Sequence, residues 1–294
     1  MINNNLLQYL YCPKCKSDLK EENNFLICKE CGERYKIKGG IPILINLNNL
    51  PRHLQGQIRY FEKENKAQSE YRLEEWQKSY IRRLDENFQL FQNKILIDVG
   101  TGSGYIAVEM AKRGLKIIAC DLTLKGLTKL KVIIKKEHLE NNLFLVCCSA
   151  ESLPFKNKTA DYLVSNAVLE HLPKEKEAIS EINRVCKNKS GIMITVPLRF
   201  RYILPFFWLP TYIHDKKIGH LRRYDKEDLK DKFYNWKLVR IYYTGHFKKV
   251  LHAIFKIVKI SLSDDCNIES SDDKKSNKKY GASNICAIFK REMR

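Results

Sequence analysis

The 294-residue chain is long enough for one well-buried domain and a small appendage, and its 44% hydrophobic content with mean hydropathy −0.41 describes a globular protein. No run approaches the roughly 20 apolar residues that span a bilayer, and the opening MINNNLLQYLYCPKC lacks a signal peptide's basic start and cleavage site, so a cytoplasmic location is expected. The net charge is +19, and residues 191–294 hold 22 basic against 11 acidic side chains; such a surface attracts nucleic acid, phosphorylated metabolites or anionic lipid, or is simply solvated.

Residues 1–47 form a cysteine-bearing unit that ends in the apolar run IPILI. Cys12-Pro-Lys-Cys15 and Cys28-Lys-Glu-Cys31 are two C-x-x-C knuckles with twelve residues between them. Thiolates at this spacing close a tetrahedral four-sulfur shell with no open position, which predicts a structural zinc ion. With so small a core, the metal supplies much of the folding energy. The remaining six cysteines are scattered, several within apolar runs, and read as buried thiols.

Residues 48–93 are charged, with Tyr60, Phe61, Tyr71, Trp76, Tyr80 and Phe88 at helical spacing, and are read as a helical linker or lid. Residues 94–294 alternate short apolar runs with helical patterns. Strands are predicted at 95–99, 115–121, 142–148, 160–166 and 191–197, with helices at 105–114, 124–140 and 174–188. This alternation predicts an α/β fold, a doubly wound Rossmann-like, mostly parallel sheet. Beyond Pro197 come an aromatic and basic insert at about 198–235, a strand at 236–243 and a helix at 246–260. Polar residues 261–283 read as a mobile loop, and a last strand covers 284–290.

Asp98-Val99-Gly100-Thr101-Gly102-Ser103-Gly104 follows the first of these strands and opens a helix. Glycines there let the backbone turn sharply and approach a ligand closely. A dinucleotide fingerprint would place its third glycine at 105, where this chain has Tyr105. Asp121, 21 residues after the first glycine, ends the next strand and can accept hydrogen bonds from both hydroxyls of a ribose.

Two resemblances follow from these residues. The segment LLQYLYCPKCKSDL…ICKECGERYKIKGGIPILI, roughly residues 5–47, resembles the zinc ribbon of the small tRNA-methyltransferase activator subunit. In that family the ribbon stabilises and activates a partner enzyme; here it would be fused to one. The G-x-G-x-G loop and CCSAESLPFKNKTADYLVSNAVLEHLP, residues 147–173, resemble the UbiE-like branch of class I methyltransferases. That resemblance spans about residues 94–197 and implies S-adenosylmethionine as cofactor. It also implies that Asp98, Gly100, Thr101, Gly102, Gly104, Asp121, Leu122, Ser149, Ala150, Glu151 and Asn166 bind it. Ser149 stands where the family has aspartate, so its contact to an adenine amino group would lack charge assistance.

Methyl transfer from a sulfonium needs mainly alignment, with a general base only for a protonated nucleophile. His171 is the first candidate base and His220 the second, although Glu170-His171 can equally serve to fix a turn. Ser165-Asn166-Ala167-Val168 lacks the Asn/Asp-Pro-Pro-aromatic motif of amino methyltransferases, which disfavours adenine and glutamine amides.

The acceptor is either RNA or an amphiphilic metabolite such as a lipid, quinone or glycan precursor. Phe200, Tyr202, Phe206, Phe207 and Trp208 with Arg222 and Arg223 could stack on bases and hold phosphates. The helix at 246–260 offers Val250, Leu251, Ile254, Phe255 and Val258 beside Lys248, Lys249, Lys256 and Lys259, suited to peripheral membrane contact or to packing on the sheet. The alternative reading is a non-catalytic cofactor-binding scaffold that assists another protein.

Overall fold

The structure, a computed structural model, describes residues 2–46, 50–64, 71–251 and 265–292. A short helix α1 (Asn4–Leu7) leads into a four-stranded antiparallel sheet of β1 (Leu19–Glu22), β2 (Phe25–Cys28), β3 (Arg34–Lys38) and β4 (Ile41–Pro42). Helices α2 (Arg52–Glu64) and α3 (Glu75–Asn87) follow. The large sheet then begins with β5 (Ile95–Val99), α4 (Tyr105–Lys112), β6 (Lys116–Asp121), α5 (Leu124–Lys136) and β7 (Leu143–Cys147). After β7 the chain crosses to the other side of β5 with β8 (Ala160–Asn166), α6 (Glu175–Val185) and β9 (Cys186–Pro197). Helices α7 (Trp208–Ile218) and α8 (Lys226–Lys232), strand β10 (Lys237–Thr244), helix α9 (Asp265–Asp273) and strand β11 (Asn284–Lys290) complete it.

The seven strands lie in the order β10-β11-β9-β8-β5-β6-β7. Only β11 runs against the others, pairing antiparallel with both β9 and β10. Every residue of β5 and β7 is buried, as expected for parallel strands covered on both faces by helices. The chain reverses direction across the sheet between β5 and β8. Ligands of open α/β sheets bind at such a switch point, beyond the strands' carboxyl ends.

The four-stranded ribbon is not a separate bead. Leu6, Leu10, Leu26, Ile37 and Leu44 belong to one buried cluster with Val146, Leu153, Phe155 and Ile194 of the large domain. Main-chain bonds join the two: Leu44 N–H donates to the Cys147 carbonyl at 2.8 Å, Tyr11 N–H to Pro154 at 3.0 Å, and Lys156 N–H to Tyr9 at 2.9 Å.

Of the expected mobile loop at 261–283, residues 261–264 lie outside the described residues and the rest is ordered otherwise. Residues 265–273 are helical, and Asp272 is 3% exposed. Its carboxylate accepts from Gly245 N–H at 3.0 Å, His246 N–H at 2.8 Å and His246 Nδ1 at 2.7 Å. The neighbouring Asp273 binds Ser79 Oγ at 2.8 Å, Arg83 at 2.9 Å and Arg82. A polar segment is ordered here by charge-assisted bonds rather than by apolar burial. Ile254, Phe255, Lys256, Val258 and Lys259 of the expected helix at 246–260 lie outside the described residues.

Candidate functional site

The carboxyl ends of β5, β6, β8 and β9 open onto a cavity of about 530 Å³, within the roughly 300–1,000 Å³ of typical ligand sites. Its floor is the glycine loop. Gly100 and Gly102 have φ of 69° and 55°, a region that favours glycine, and Gly100 passes so close to Val168 that a Cβ would lie 2.4 Å from its Cγ2. At Gly102 a Cβ would meet no protein atom nearer than 3.9 Å, leaving that side of the loop clear for a ligand. The loop hangs from β6, with Gly100 N–H and Thr101 N–H both donating to the Cys120 carbonyl at 2.8 and 3.0 Å.

Two carboxylates flank the loop. Asp98 is 2% exposed and accepts from Thr101 Oγ1 at 2.6 Å. Burial, reinforced by the charge of nearby Asp121, pushes its carboxyl up to about 7, against the pull of the Thr101 bond. Asp121 accepts from Gly102 N–H at 2.9 Å and from Thr123 N–H and Oγ1 at 2.8 and 2.7 Å. A carboxylate has about four lone-pair sites and three are taken here, so one remains for a ligand hydroxyl.

Of the residues expected to bind cofactor, Asp98, Gly100, Thr101, Gly102, Asp121, Leu122, Ser149, Ala150 and Asn166 line this cavity. Gly104 is not among them: at φ 78° it starts α4, and a Cβ would lie 2.4 Å from Leu130 Cδ1, so this glycine serves the packing of α4 on α5. Glu151 also lies off the cavity wall, where its Oε1 accepts from Lys174 N–H at 2.6 Å. The Ser149 hydroxyl accepts from Glu151 N–H at 3.1 Å, and Asn166 donates to the Tyr105 hydroxyl at 2.8 Å.

Part of the wall comes from the segment 48–93, read from sequence as a helical linker or lid. Leu54, Gln57, Ile58 and Phe61 of α2 and Trp76 and Tyr80 of α3 cover the cavity. Their apolar side chains have helical spacing, which signals an amphipathic helix but not what the face covers.

His171 reaches the cavity and His220 stands behind it, their rings 4.7 Å apart at 64°. Burial, then the neighbouring His220 ring, brings His171 down to about 3, so it is neutral near pH 7. Glu170 is 1% exposed and burial pushes its carboxyl up to about 8. His220 Nδ1 lies 2.8 Å from Asp215 Oδ1. Burial opposes ionisation of Asp215, but bonds from His220 and Arg223 outweigh it and hold that carboxyl at about 2.

The insert does not contribute to the cavity wall. None of Phe200, Tyr202, Phe206, Phe207, Trp208, Arg222 and Arg223 lines the cavity. Arg222 donates to the Leu169 and Leu172 carbonyls at 3.2 and 2.6 Å, and Arg223 grips Asp215 through two nitrogens at 2.6 and 2.7 Å. Arg222 therefore braces the turn that carries Glu170 and His171, and Arg223 holds Asp215 against His220.

At the other end of the chain, the sulfurs of Cys12, Cys15, Cys28 and Cys31 lie within 4.8 Å of one another, with Cys12–Cys31 at 3.7 Å and Cys15–Cys28 at 3.3 Å. A tetrahedral shell with Zn–S bonds of about 2.3 Å places its sulfurs roughly 3.8 Å apart, so the donor set fits zinc. Cys31 N–H donates to Cys28 Sγ at 3.5 Å, and the Tyr35 hydroxyl lies 3.2 Å from Cys12 Sγ.

Comparison with known proteins agrees with this division. Residues 4–40 match the family described as Trm112p-like protein, and residues 97–194 match the family described as methyltransferase domain. Residues 4–40 are thus a Trm112p-like ribbon and residues 97–194 a methyltransferase domain by sequence. The ribbon is 51% identical over 45 residues to a UPF0434 protein of Vesicomyosocius okutanii, covering 15% of this chain and 76% of the relative. The methyltransferase domain is 31% identical over 118 residues to the ubiquinone/menaquinone biosynthesis C-methyltransferase UbiE of Rickettsia massiliae, covering 38% of this chain and 46% of that one. The chain spans less than half the length of the curated relatives that match its methyltransferase domain.

The fold is also that of Haemonchus contortus phosphoethanolamine N-methyltransferase 2, solved with phosphomonomethylethanolamine and S-adenosylhomocysteine. That match has a TM-score of 0.61 at 16% identity, over 86% of this chain and 62% of the other. Among the described residues no helix is long and apolar enough to cross a membrane.

Proposed function

We propose that the protein transfers a methyl group from S-adenosylmethionine to an amphiphilic small molecule held between the glycine loop and the α2–α3 cover. The observation that carries this reading is the composition of one cavity: two carboxylates at the strand ends, and a cover from α2 and α3 whose side chains are mostly apolar. Asp98 would meet the ammonium of the donor's methionine portion and Asp121 a hydroxyl of its ribose. Ser149 and Ala150 would flank the adenine. S-adenosylmethionine supplies an already activated methyl carbon, and the protein supplies alignment and exclusion of water. Leu54, Ile58, Phe61, Trp76 and Tyr80 would bind the acceptor's apolar body. The UbiE relative, named for quinone methylation, supports the same acceptor class. The internal engagement of Arg222 and Arg223 weighs against RNA.

The test is incubation with S-adenosylmethionine labelled in its methyl group, alongside a lipid extract and, separately, total RNA. Label in the organic phase is expected. Label confined to RNA overturns the acceptor class, and failure to bind S-adenosylhomocysteine in calorimetry overturns the transfer itself.

A further inference from the structure

Behind the cavity, three buried groups converge. Glu170 and His171 sit in the turn after β8, and His220 follows Gly219, the left-handed residue that ends α7. The two segments are locked together by a main-chain bond from Leu221 N–H to the Glu170 carbonyl at 2.8 Å. One ligand-capable atom from each of Glu170, His171 and His220 lies within 4.8 Å of the other two.

The hydrogen bonding of this group is incomplete. Glu170 Oε2 and His171 Nδ1 are buried without a hydrogen-bond partner among the described residues. His220 Nδ1 faces the Asp215 carboxylate at 2.8 Å, and a carboxylate only accepts, so the proton belongs on Nδ1. His220 Nε2 then presents its lone pair toward Glu170 Oε1, 3.7 Å away and beyond hydrogen-bond reach. Asp215 is itself clamped by Arg223, which also donates to the Leu198 carbonyl at 2.7 Å. Nearby, Arg222 binds main-chain carbonyls and lies 4.0 Å from Glu175, His53 Nε2 lies 3.0 Å from the His171 carbonyl, and the His214 ring lies 6.5 Å from that of His220.

We infer that Glu170, His171 and His220 form a second metal site, which takes a divalent transition-metal cation and presents its open position to the acceptor end of the cavity. Two imidazoles and one carboxylate are a donor set for zinc, cobalt, iron or manganese. A carboxylate that fixes the far nitrogen of a ligating histidine, as Asp215 does for His220, is the usual outer support of such a site. Unlike the four-thiolate ribbon, this set is unsaturated, and His171 brings it to the cavity wall.

The role in catalysis rests on the proposed methyl transfer. An acceptor hydroxyl that ligates the cation becomes more acidic and loses its proton to solvent. Its oxygen then forms the new bond to the methyl carbon, and the carbon–sulfur electron pair returns to sulfur to leave the neutral thioether. This assigns the acceptor a hydroxyl next to its apolar body.

Metal uptake is read without any acceptor, so it succeeds or fails independently of methyl transfer. Protein with its ribbon filled by zinc is titrated with cobalt(II) and followed by calorimetry and visible absorption. One cobalt per chain is expected, with weak bands from nitrogen and oxygen ligands and no intense thiolate band in the near ultraviolet. Glu170→Gln and His220→Asn should each abolish uptake, and Asp215→Asn should weaken it 10- to 100-fold. Retained binding of S-adenosylhomocysteine shows which variants are folded. No uptake by the zinc-filled protein, or uptake that survives both substitutions, overturns the proposal.

Discussion

Gly104 meets two demands at once, a left-handed backbone and an absent side chain. Its φ is 78° and the Leu130 methyl group occupies the position a Cβ would take. Gly104→Ala should therefore destabilise the fold by about 2–4 kcal/mol, combining backbone strain with overpacking, as measured by chemical denaturation. The G-x-G-x-G spacing is visible in the sequence because it is local. It does not show that its first two glycines face a cavity while the third faces a helix. Asp98 is a second residue whose behaviour depends on its surroundings. If its ionised form receives the donor's ammonium, affinity for S-adenosylhomocysteine should fall about tenfold per pH unit below its raised value of about 7 and level off above it. Asp98→Asn should bind more weakly and lose that pH dependence. A wild-type affinity that stays flat from pH 5.5 to 8 would show that the carboxylate is not used this way.

Among the elements, strands at 95–99, 160–166 and 284–290 lie where their apolar patterns place them, because burial on both faces of a sheet leaves a strong local signature. Helix α9 carries no such signature. Its order depends on partners far away in sequence: Asp272 on Gly245 and His246, and Asp273 on Ser79 and Arg83. The same reason hides the cavity cover, since Leu54 or Phe61 on a helical stripe does not announce what it faces. Burial opposes ionisation of Asp272, but the His246 bonds, the Lys249 charge at 3.6 Å and the Gly245 N–H outweigh it and hold the carboxyl at about 2. A depressed carboxyl stabilises the fold above its ordinary value near 3.8 and loses that contribution as pH falls through about 2. Asp272→Ala should cost roughly 3 kcal/mol at neutral pH by leaving His246 Nδ1 and the Gly245 and His246 main-chain donors unpaired. The cost should shrink between pH 4 and pH 2, checked by denaturation at each pH.

At the scale of the molecule, the ribbon and the cofactor domain share one core, and their main-chain bonds meet on residues 147–156, the stretch that includes Ser149 and Ala150. Zinc removal by a chelator should unfold the ribbon and weaken S-adenosylhomocysteine binding at least tenfold, because the loop loses its backing. Unchanged affinity in the zinc-free protein would show that the loop holds its shape alone. The two C-x-x-C knuckles made the metal readable from sequence; where the ribbon docks was not, since its contacts with Cys147, Pro154 and Phe155 join residues more than a hundred positions apart. The join itself has a consequence for dilution. A ribbon on a separate chain would leave the domain it backs when both become scarce, whereas a tethered one stays at an effective concentration of millimolar order. Specific activity per chain should therefore remain constant down to nanomolar protein, and one gene product suffices to fix the ratio of brace to catalyst at one to one.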